Sequence, residues 1–372
     1  MQGRGGDGLG SRYEGPKRFS RTREEFIAFY EEHFQDKIAA LDVERETYKK
    51  KILNRFIVGS IIVIGLFFFF WYDDRSFGPE EAYLKWIIYF PILFGVMGYS
   101  ALTWMNAKRK IEEKVKAFVI DKLVGFMNPN FTYAPDEYVP KKYFNDTLVF
   151  RNKADVYLGD DLIEGYVYDE KEQARTNVAF SEIVAMNKEK SFTSKGKKAK
   201  PVGTYVYGLF FKVDFNKDFG QSITIVKPRW LMKKRKYRKK LALYGGKKSP
   251  MQEVHLENPD FMRQFIVHSN DQILARVIFQ ADTMENLLTF VNYKPDLVSG
   301  KKAKRRKRKH RIPYFTFRRN QIYVVYHTKS NHFNVNIFEK LSIDTVYTYF
   351  QDINRVLRLI DDLNLNLDLY KK

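Results

Sequence analysis

The sequence predicts an α+β cytosolic domain carried on a two-helix transmembrane hairpin with a helical stalk. Three observations lead to this fold class. Two long runs without charged residues lie in the first third of the chain, and an amphipathic helical pattern flanks the pair on each side. A series of β-like and helical runs then fills the remainder, where three short segments contain most of the positive charge, which is +21 overall.

The two apolar runs have the length of membrane-spanning helices. Residues 56–72 and 86–105 contain no charged side chain. At 1.5 Å per residue they extend roughly 26 and 30 Å, close to the ~30 Å thickness of the hydrocarbon core of a bilayer. Each run should be helical, because backbone polar groups in lipid must be satisfied within the segment. We therefore expect transmembrane helices at 56–72 and 86–105, joined by an external loop at 73–85.

Lysine and arginine residues set the expected orientation of this hairpin. Five of them lie within 45–55 and five within 108–116, whereas the connecting loop contains only Arg75 and Lys85. Positive residues flanking membrane spans stay on the cytoplasmic side, so both termini should be cytoplasmic. Residues 1–21 lack the apolar stretch of a cleavable signal peptide and are expected to form a flexible basic tail.

Amphipathic helices are predicted on both sides of the spans. Thr22 and Glu25 have the spacing of a capping box, and apolar residues then recur on one helical face as far as residue 55. A second stripe, in 106–128, should end before Pro129, because the residue preceding a proline disfavours the helical conformation. Helices 22–55 and 106–128 leave the same membrane face, which predicts an antiparallel stalk. The alternative for 22–55 is a helix lying on the lipid surface.

Residues 129–372 contain the pattern of the α+β domain. Runs rich in β-branched and aromatic residues predict strands, and longer runs of helical period predict helices. The expected strands are 147–151, 155–168, 177–187, 205–214, 222–227, 265–268, 312–317 and 321–328. The expected helices begin at Asn258-Pro259 and cover 283–291 and 342–363. The tail after Leu363 alternates with period two, and its type stays open.

Several motifs of this region occur in an order found in one protein family. They are YLGDDLIEG at 157–165, AFSEI at 179–183, the residues Phe261, Phe265, Val267, Ser269, Asp271, Ala275 and Arg276, and Phe338-Glu339. Together they resemble a bacterial membrane family catalogued as domain of unknown function 3137, over roughly 111–341. The resemblance implies two spans followed by a cytosolic α+β domain, located in the bacterial cytoplasmic (inner) membrane. It implies no activity.

The sequence contains no pattern that predicts an enzyme. The motifs GxGxxG, GxxxxGK[ST], GxSxG and HExxH are absent, and no two of the six histidines have the spacing of a helical metal site. The absence of cysteine excludes thiol chemistry. Asp160, Asp161 and Glu164 are the densest carboxylates, but neighbouring strand residues point to opposite faces, and a turn at 159–161 explains them better. We expect no catalytic residue, no metal and no cofactor.

The basic segments are the remaining candidate site. Segments 188–200, 229–248 and 301–311 have net charges of +5, +10 and +9. The candidate contacts to anionic lipid or another polyanion are Lys233, Lys234, Arg235, Lys236, Arg238, Lys239, Lys240, Lys304, Arg305, Arg306, Lys307, Arg308 and Lys309. Anionic lipid of the inner leaflet, an unknown acidic protein partner and nucleic acid all fit this charge. Solvated loops without a partner are the remaining interpretation.

These observations predict a membrane-anchored cytosolic binding or scaffolding module that is not an enzyme, with its basic loops facing anionic lipid or an acidic partner. One alternative is a membrane-associated enzyme acting on lipid or envelope material, with a site that assembles only in three dimensions. The other is membrane-tethered nucleic-acid binding. Partner identity and oligomeric state are left open by the sequence.

Overall fold

The computed structural model describes residues 18–73, 82–150, 153–169, 174–188, 201–214, 219–229, 251–292, 298, 312–328 and 332–363. The chain forms two compact units. The first, called the sheet unit, consists of the described residues of Met1–Phe26, Asp121–His332 and Tyr347–Lys372. The second, the helix-pair unit, consists of those of Ile27–Ile120 and Phe333–Val346. The predicted mixture of helices with a sheet is confirmed, and the sheet is antiparallel.

Helices account for the N-terminal third of the chain and for the elements between strands. The described helices are α1 (Arg23–His33), α2 (Gln35–Asp73), α3 (Ala82–Val115), α4 (Asp121–Met127), α5 (Lys141–Asp146), α6 (Pro259–Gln264), α7 (Gln272–Ile278), α8 (Ala281–Asn292) and α9 (Ile343–Asp362). A π-helical turn, Lys116–Ile120, joins α3 to α4. The helix predicted from residue 22 is interrupted once, at Phe34, and α4 ends directly before Asn128-Pro129 as predicted.

The first helix begins with the predicted capping box. The backbone N–H of Glu25 donates to the Thr22 hydroxyl at 3.2 Å, and the backbone N–H of Thr22 donates to the Glu25 carboxylate at 2.7 Å. These reciprocal bonds satisfy two donors that the start of a helix leaves without intrahelical partners. The capping box therefore fixes the start of α1 directly after Thr22.

Helices α2 and α3 of the helix-pair unit lie side by side and run antiparallel. Residue numbers fall along one helix as they rise along the other, through contacts at Glu44–Lys114, Gly59–Val96 and Phe67–Tyr89. Phe34, directly before α2, contacts Phe118 in the π-helical turn after α3. A Cβ atom on Gly59 would lie 2.6 Å from Cγ1 of Val96, so the glycine is what lets the two backbones approach there. The pairing extends along almost the full length of α2.

One described helix, Gln35–Phe69, is long and apolar enough to cross a membrane by length and composition. Only 6% of its most apolar stretch is buried. Large apolar side chains are exposed along the predicted span, among them Ile61 at 64% and Phe69 at 63%. A core helix of a soluble protein would bury such residues. On α3, Phe94 is 67% exposed and Met97 59%.

A return segment, Phe333–Leu341, is fastened to α2 within the helix-pair unit. The guanidinium of Arg45, 3% exposed, donates to the carbonyl of Ile337 at 2.8 Å and pairs with Asp42 at 2.7 Å. The backbone N–H of Leu341 donates to the same Asp42 carboxylate at 2.8 Å. The buried arginine thus has its charge balanced and its donors satisfied by the segment it holds.

The sheet unit contains nine described strands in the order β1-β2-β3-β4-β9-β8-β5-β7-β6, and every pair is antiparallel. They are β1 (Phe131–Ala134), β2 (Val156–Asp169), β3 (Ala174–Lys188), β4 (Pro201–Asp214), β5 (Ile223–Pro228), β6 (Gln252–Val254), β7 (Phe265–Ser269), β8 (Tyr314–Arg318) and β9 (Gln321–His327). The central strands are buried on both faces, which suits their near-continuous apolar sequences.

Most strand predictions agree with the structure, and one is wrong. Residues 147–150 form no strand, because the segment leaves α5 through a left-handed residue, Leu148 (φ 51°), and is bonded to side chains instead of a neighbouring strand. Arg151 lies outside the described residues. The helix predicted at Asn258-Pro259 is α6, whose first N–H groups bond the Asn258 side chain.

The N-terminal residues 18–21 are bound to the last helix, α9, inside the sheet unit. Three successive backbone N–H groups, of Arg18, Phe19 and Ser20, donate to the Asp361 carboxylate at 3.2, 3.0 and 2.9 Å. The Asn354 amide bonds both the N–H and the carbonyl of Arg21, at 2.9 and 2.8 Å. These five bonds, all to main-chain atoms, fix the start of the described chain to α9.

The three basic segments lie outside the described residues, apart from Lys188 and Arg229 at their edges. The same holds for the N-terminal tail before residue 18, the connection 74–81 and the C-terminal tail after Leu363. The domain boundaries predicted for these parts stay predictions.

Candidate functional site

A bulge in β2 places two adjacent aspartates where regular strand geometry would separate them. The pairing of β2 with β3 shifts register between Asp160 and Ile163, and Asp161 has a φ of 58°. The backbone N–H of Asp161 donates to the carbonyl of Pro135 at 3.0 Å. The predicted turn at 159–161 is therefore wrong. These residues lie inside β2, and the bulge rather than a turn breaks the alternation of side chains.

The bulge brings Asp160 and Asp161 together with Glu182 of β3. One carboxylate oxygen from each of the three lies within 4.8 Å of the others. Asp161 is 1% exposed and Glu182 is 4% exposed, and the Tyr133 hydroxyl donates a hydrogen bond to Asp161. Regular strand geometry predicts that Asp160 and Asp161 point to opposite faces, and the bulge instead brings their carboxylate oxygens close together. Glu164, the third acid of this stretch, is exposed.

Burial controls the electrostatics of the cluster. It raises the pKa of Glu182 to about 8, and the charges of Asp160, Asp161 and Asp352 add to this effect. A hydrogen bond from the backbone N–H of His332 acts in the opposite direction. The Glu182 carboxyl group therefore keeps its proton to a higher pH than an exposed glutamate does, which lowers the negative charge of the cluster.

His332 links this cluster to α9. Its backbone N–H donates to the Glu182 carboxylate at 2.9 Å, while ring atom Nδ1 lies 2.6 Å from Asp352 Oδ2. The other ring nitrogen, Nε2, lies 2.6 Å from the Thr328 hydroxyl. An ionised Asp352 accepts only, so Nδ1 donates to it. His332 thus joins β3, the end of β9 and α9 at one buried point.

Asp352 is held on its other side by Arg355. Its Oδ1 accepts a hydrogen bond from Arg355 Nη1 at 3.2 Å. The Arg355 guanidinium in turn lies 4.7 Å from the ring centroid of Tyr326 on β9. The carboxylate therefore has a partner for each oxygen although it is only 5% exposed.

Two kinds of chemistry are compatible with these positions. Thr328, His332 and Asp352 stand in the order of a nucleophile, a base and an orienting acid, but each is at most 8% exposed, and the Thr328 backbone N–H bonds the Tyr207 carbonyl at 3.0 Å. Such enclosure favours a structural joint. The carboxylates Asp160, Asp161 and Glu182 have the donor type that hard divalent cations prefer and are the residues that can hold one.

The candidate residues named from the sequence and those in this network are different sets. The basic residues of 233–240 and 304–309 lie outside the described residues. His268 is buried in β7, as expected of an interior histidine. The residues that sequence reasoning missed are Tyr133, Glu182, Thr328, His332 and Asp352. One signal was present, because Asp352 lies three residues after Tyr349 and four before Val356, on a buried face of α9.

Comparison with known proteins finds a family model that matches part of the chain. The family described as "Protein of unknown function (DUF3137)" matches residues 204–365. Two of the motifs quoted above, 157–165 and 179–183, lie before this range, whereas those from Phe261 to Glu339 lie within it. No curated protein and no solved structure matches the chain significantly. Residues 204–365, which include most of β4, strands β5 to β9 and α9, are therefore similar to the family of proteins of unknown function DUF3137.

Proposed function

We propose that the chain is a membrane-anchored binding module that is not an enzyme, in which the helix pair holds the sheet unit at the membrane and the basic segments bind anionic lipid. The observation that carries the anchor is the exposed apolar surface of α2. Side chains such as Ile61, Ile64 and Phe68 are between 54% and 64% exposed. Exposure of this extent to water is unfavourable at roughly 25 cal/mol per Å², whereas in lipid it has no cost.

The contacts of residues 18–21 with α9 support two membrane crossings instead of one. Asp361 and Asn354 bind the main chain of these residues directly, so both partners lie on one side of the membrane. A chain that crosses between two points on the same side must cross an even number of times. With α2 as one crossing, the antiparallel α3, which includes the second apolar run, is the other.

The distribution of Lys and Arg orients this hairpin in our proposal. Residues 45–55, before the first apolar run, and residues 108–116, after the second, are strongly basic. This places both termini and the sheet unit in the cytoplasm, with the 73–85 connection outside. The membrane is then the bacterial cytoplasmic membrane that the family resemblance implies.

The register of the sheet shows that all three basic segments leave it in the same direction along the strands. Lys188 at the end of β3 pairs with Pro201 at the start of β4. Gly208 of β4 pairs with His327 at the end of β9, and Val325 of β9 pairs with Tyr314 at the start of β8. Phe315 of β8 pairs with Val226, near the end of β5. Segments 229–248 and 301–311 therefore attach at about the level of Gly208, and segment 188–200 attaches in the same direction along the sheet, seven residues further along β4.

Anionic lipid is the partner that this charge favours. Each Lys or Arg near an anionic surface contributes about 1 kcal/mol, and this energy falls off within a Debye length of ~8 Å. Because the helix pair already anchors the chain, such energy orients the sheet unit instead of recruiting it. Segments of high positive charge that leave the sheet in the same direction suit one lipid-facing surface.

The proposal predicts salt-sensitive lipid contact in the reconstituted full-length chain. The chain contains no cysteine, so Tyr237→Cys gives a unique site for a polarity-sensitive fluorophore within segment 233–240. We expect a blue-shifted emission in vesicles containing anionic lipid at low salt. The shift should disappear in vesicles of neutral lipid or at high salt, because surface attraction is screened.

A matched control keeps the label at position 237 and replaces all seven basic residues of the segment by glutamine, at Lys233, Lys234, Arg235, Lys236, Arg238, Lys239 and Lys240. This variant should show the same emission in neutral and anionic vesicles. Lipid binding would be contradicted if the emission of the labelled chain with all its basic residues changed neither with lipid charge nor with salt. A shift caused by added nucleic acid but not by anionic lipid would favour the nucleic-acid alternative.

A further inference from the structure

The segment that follows α5 is fastened to one face of the sheet by three side chains. Arg318 Nη1 donates to the carbonyl of Asp146 at 3.2 Å, and the Thr316 hydroxyl donates to the carbonyl of Thr147 at 2.7 Å. Lys227 Nζ donates to the carbonyl of Val149 at 2.6 Å. Thr316 and Arg318 alternate on β8, and Thr316 pairs with Ile225, two residues from Lys227. All three donors therefore project from the same face.

The fastened segment contains a backbone conformation that its sequence does not favour. Leu148 has a φ of 51°, in the left-handed region, where a residue with a Cβ atom meets the following carbonyl oxygen. Such a conformation persists only where the surroundings impose it. The three donors and the packing of Val149 against Ile223, Ile225 and Met251 supply this constraint.

Lys227 is the unusual member of the three. It is 5% exposed, and its bond to Val149 is to a neutral carbonyl oxygen. The elements around it contribute the following titratable groups: Lys141, Lys142, Tyr143 and Asp146 of α5, Tyr314 and Arg318 of β8, His268 of β7 and Glu253 of β6. Asp146 is paired with Arg318 at 3.1 Å. Among the residues that the structure describes, Lys227 forms no ion pair, so a charge on its amine has no compensating partner.

We propose that Lys227 is a proton-operated latch: its neutral amine holds residues 146–150 on the sheet, and protonation of that amine releases them. The proton comes from solvent and binds Nζ. A buried ammonium ion is stabilised when it gains water, and lifting 146–150 away gives water access to it. Release also lets Leu148 leave the left-handed region. The same step thus relieves an unpaired charge and a strained backbone.

The midpoint of the latch follows from burial. Burial lowers the pKa of Lys227 to about 7, whereas an unfolded lysine titrates near ~10.4. The folded pKa is the lower one, so the unfolded state binds more protons between these values. The free energy of unfolding should therefore rise as pH increases from about 7 to ~10.4 and should gain nothing below pH 7 from this group.

Hydrogen exchange of the full-length chain in detergent tests the latch. The amides of Thr147, Leu148 and Val149 bond to Phe144, Asn145 and the Thr147 hydroxyl within the closed segment. After correction for the intrinsic pH dependence of exchange, protection of 146–150 should fall about tenfold between pH 8 and pH 6, as the protonated fraction rises across a pKa near 7. Amides of β9 serve as the internal reference.

Two substitutions separate the latch from a general loosening. Lys227→Met has no titratable group and should keep 146–150 equally protected at both pH values. Lys227→Arg remains charged and should leave the segment unprotected at both. A Lys227→Met chain that still loses protection at pH 6 would overturn the proposal, even if Lys227→Arg fails to fold. Equal protection of the unchanged chain at pH 6 and pH 8 would overturn it as well.

Discussion

An arginine in place of Ile64 should prevent most of the chain from remaining in the membrane. Ile64 is 54% exposed on α2 and lies at the centre of the first apolar run. An arginine at the centre of a membrane helix costs about 2.5–3.5 kcal/mol on insertion scales. A shift of this size changes the ratio of inserted to non-inserted chain about a hundredfold. The inserted fraction is measured by alkaline carbonate extraction and quantitative blotting.

Val43→Arg is the matched control for this experiment. Val43 is 69% exposed on the same helix but lies before the apolar run. It should leave the inserted fraction unchanged, since exposed substitutions in water cost at most about 0.5 kcal/mol. Equal behaviour of Ile64→Arg and Val43→Arg would mean that the exposed apolar face of α2 does not meet lipid.

Removal of the Asp352 carboxylate should be the most destabilising change in the buried network. In Asp352→Ala, His332 Nδ1 and Arg355 Nη1 lose the acceptor that each now has. Breaking a buried ion pair from one side typically costs about 3–5 kcal/mol, because the remaining charge stays buried. The free energy of unfolding of the full-length chain in mild detergent, measured with denaturant, checks this value.

Thr348→Ala is the control for Asp352→Ala, because Thr348 is exposed on the same helix, α9. It should change the free energy of unfolding by no more than about 0.5 kcal/mol. A loss for Asp352→Ala as small as that of Thr348→Ala would contradict the view that His332 is a joint between the sheet and α9.

Much of the fold could be predicted from the sequence because many of its elements are long enough to show a clear periodicity. The apolar stripe on α9 spans twenty residues, and Ile353, Leu357 and Ile360 on it are all buried. The capping box at Thr22 and the asparagine cap of α6 were visible because each needs particular side chains at fixed spacing. The strands β1 and β6 were missed, because four and three residues are too few to show a period.

Predictions from neighbouring residues were wrong where contacts with distant parts of the chain determine the local structure. Residues 147–151 are rich in apolar side chains, yet 147–150 are held by Lys227 and Thr316 from other parts of the chain. Asp160 and Asp161 lie in a bulge that depends on pairing with β3 and on the carbonyl of Pro135. The alternation of residues in one strand predicts neither the pairing with β3 nor the bond to Pro135.

The candidate site was invisible for the same reason. Glu182 and His332 meet across 150 positions of sequence, and His332 meets Asp352 across 20. No fixed spacing relates such residues, so no motif can report them. The one local indication was Asp352 on the buried face of α9, because a buried carboxylate needs a hydrogen-bonding partner.

The side of the membrane on which each part of the chain lies is the most direct test of the account. Because the chain contains no cysteine, the single changes Ser11→Cys, Phe77→Cys and Tyr370→Cys each give one reactive thiol. A membrane-impermeant maleimide added to intact cells should label the Phe77→Cys chain only, and permeabilisation should expose the other two. Labelling of Phe77→Cys and Tyr370→Cys from the same side, or of Ser11→Cys and Tyr370→Cys from opposite sides, would contradict the two-crossing anchor.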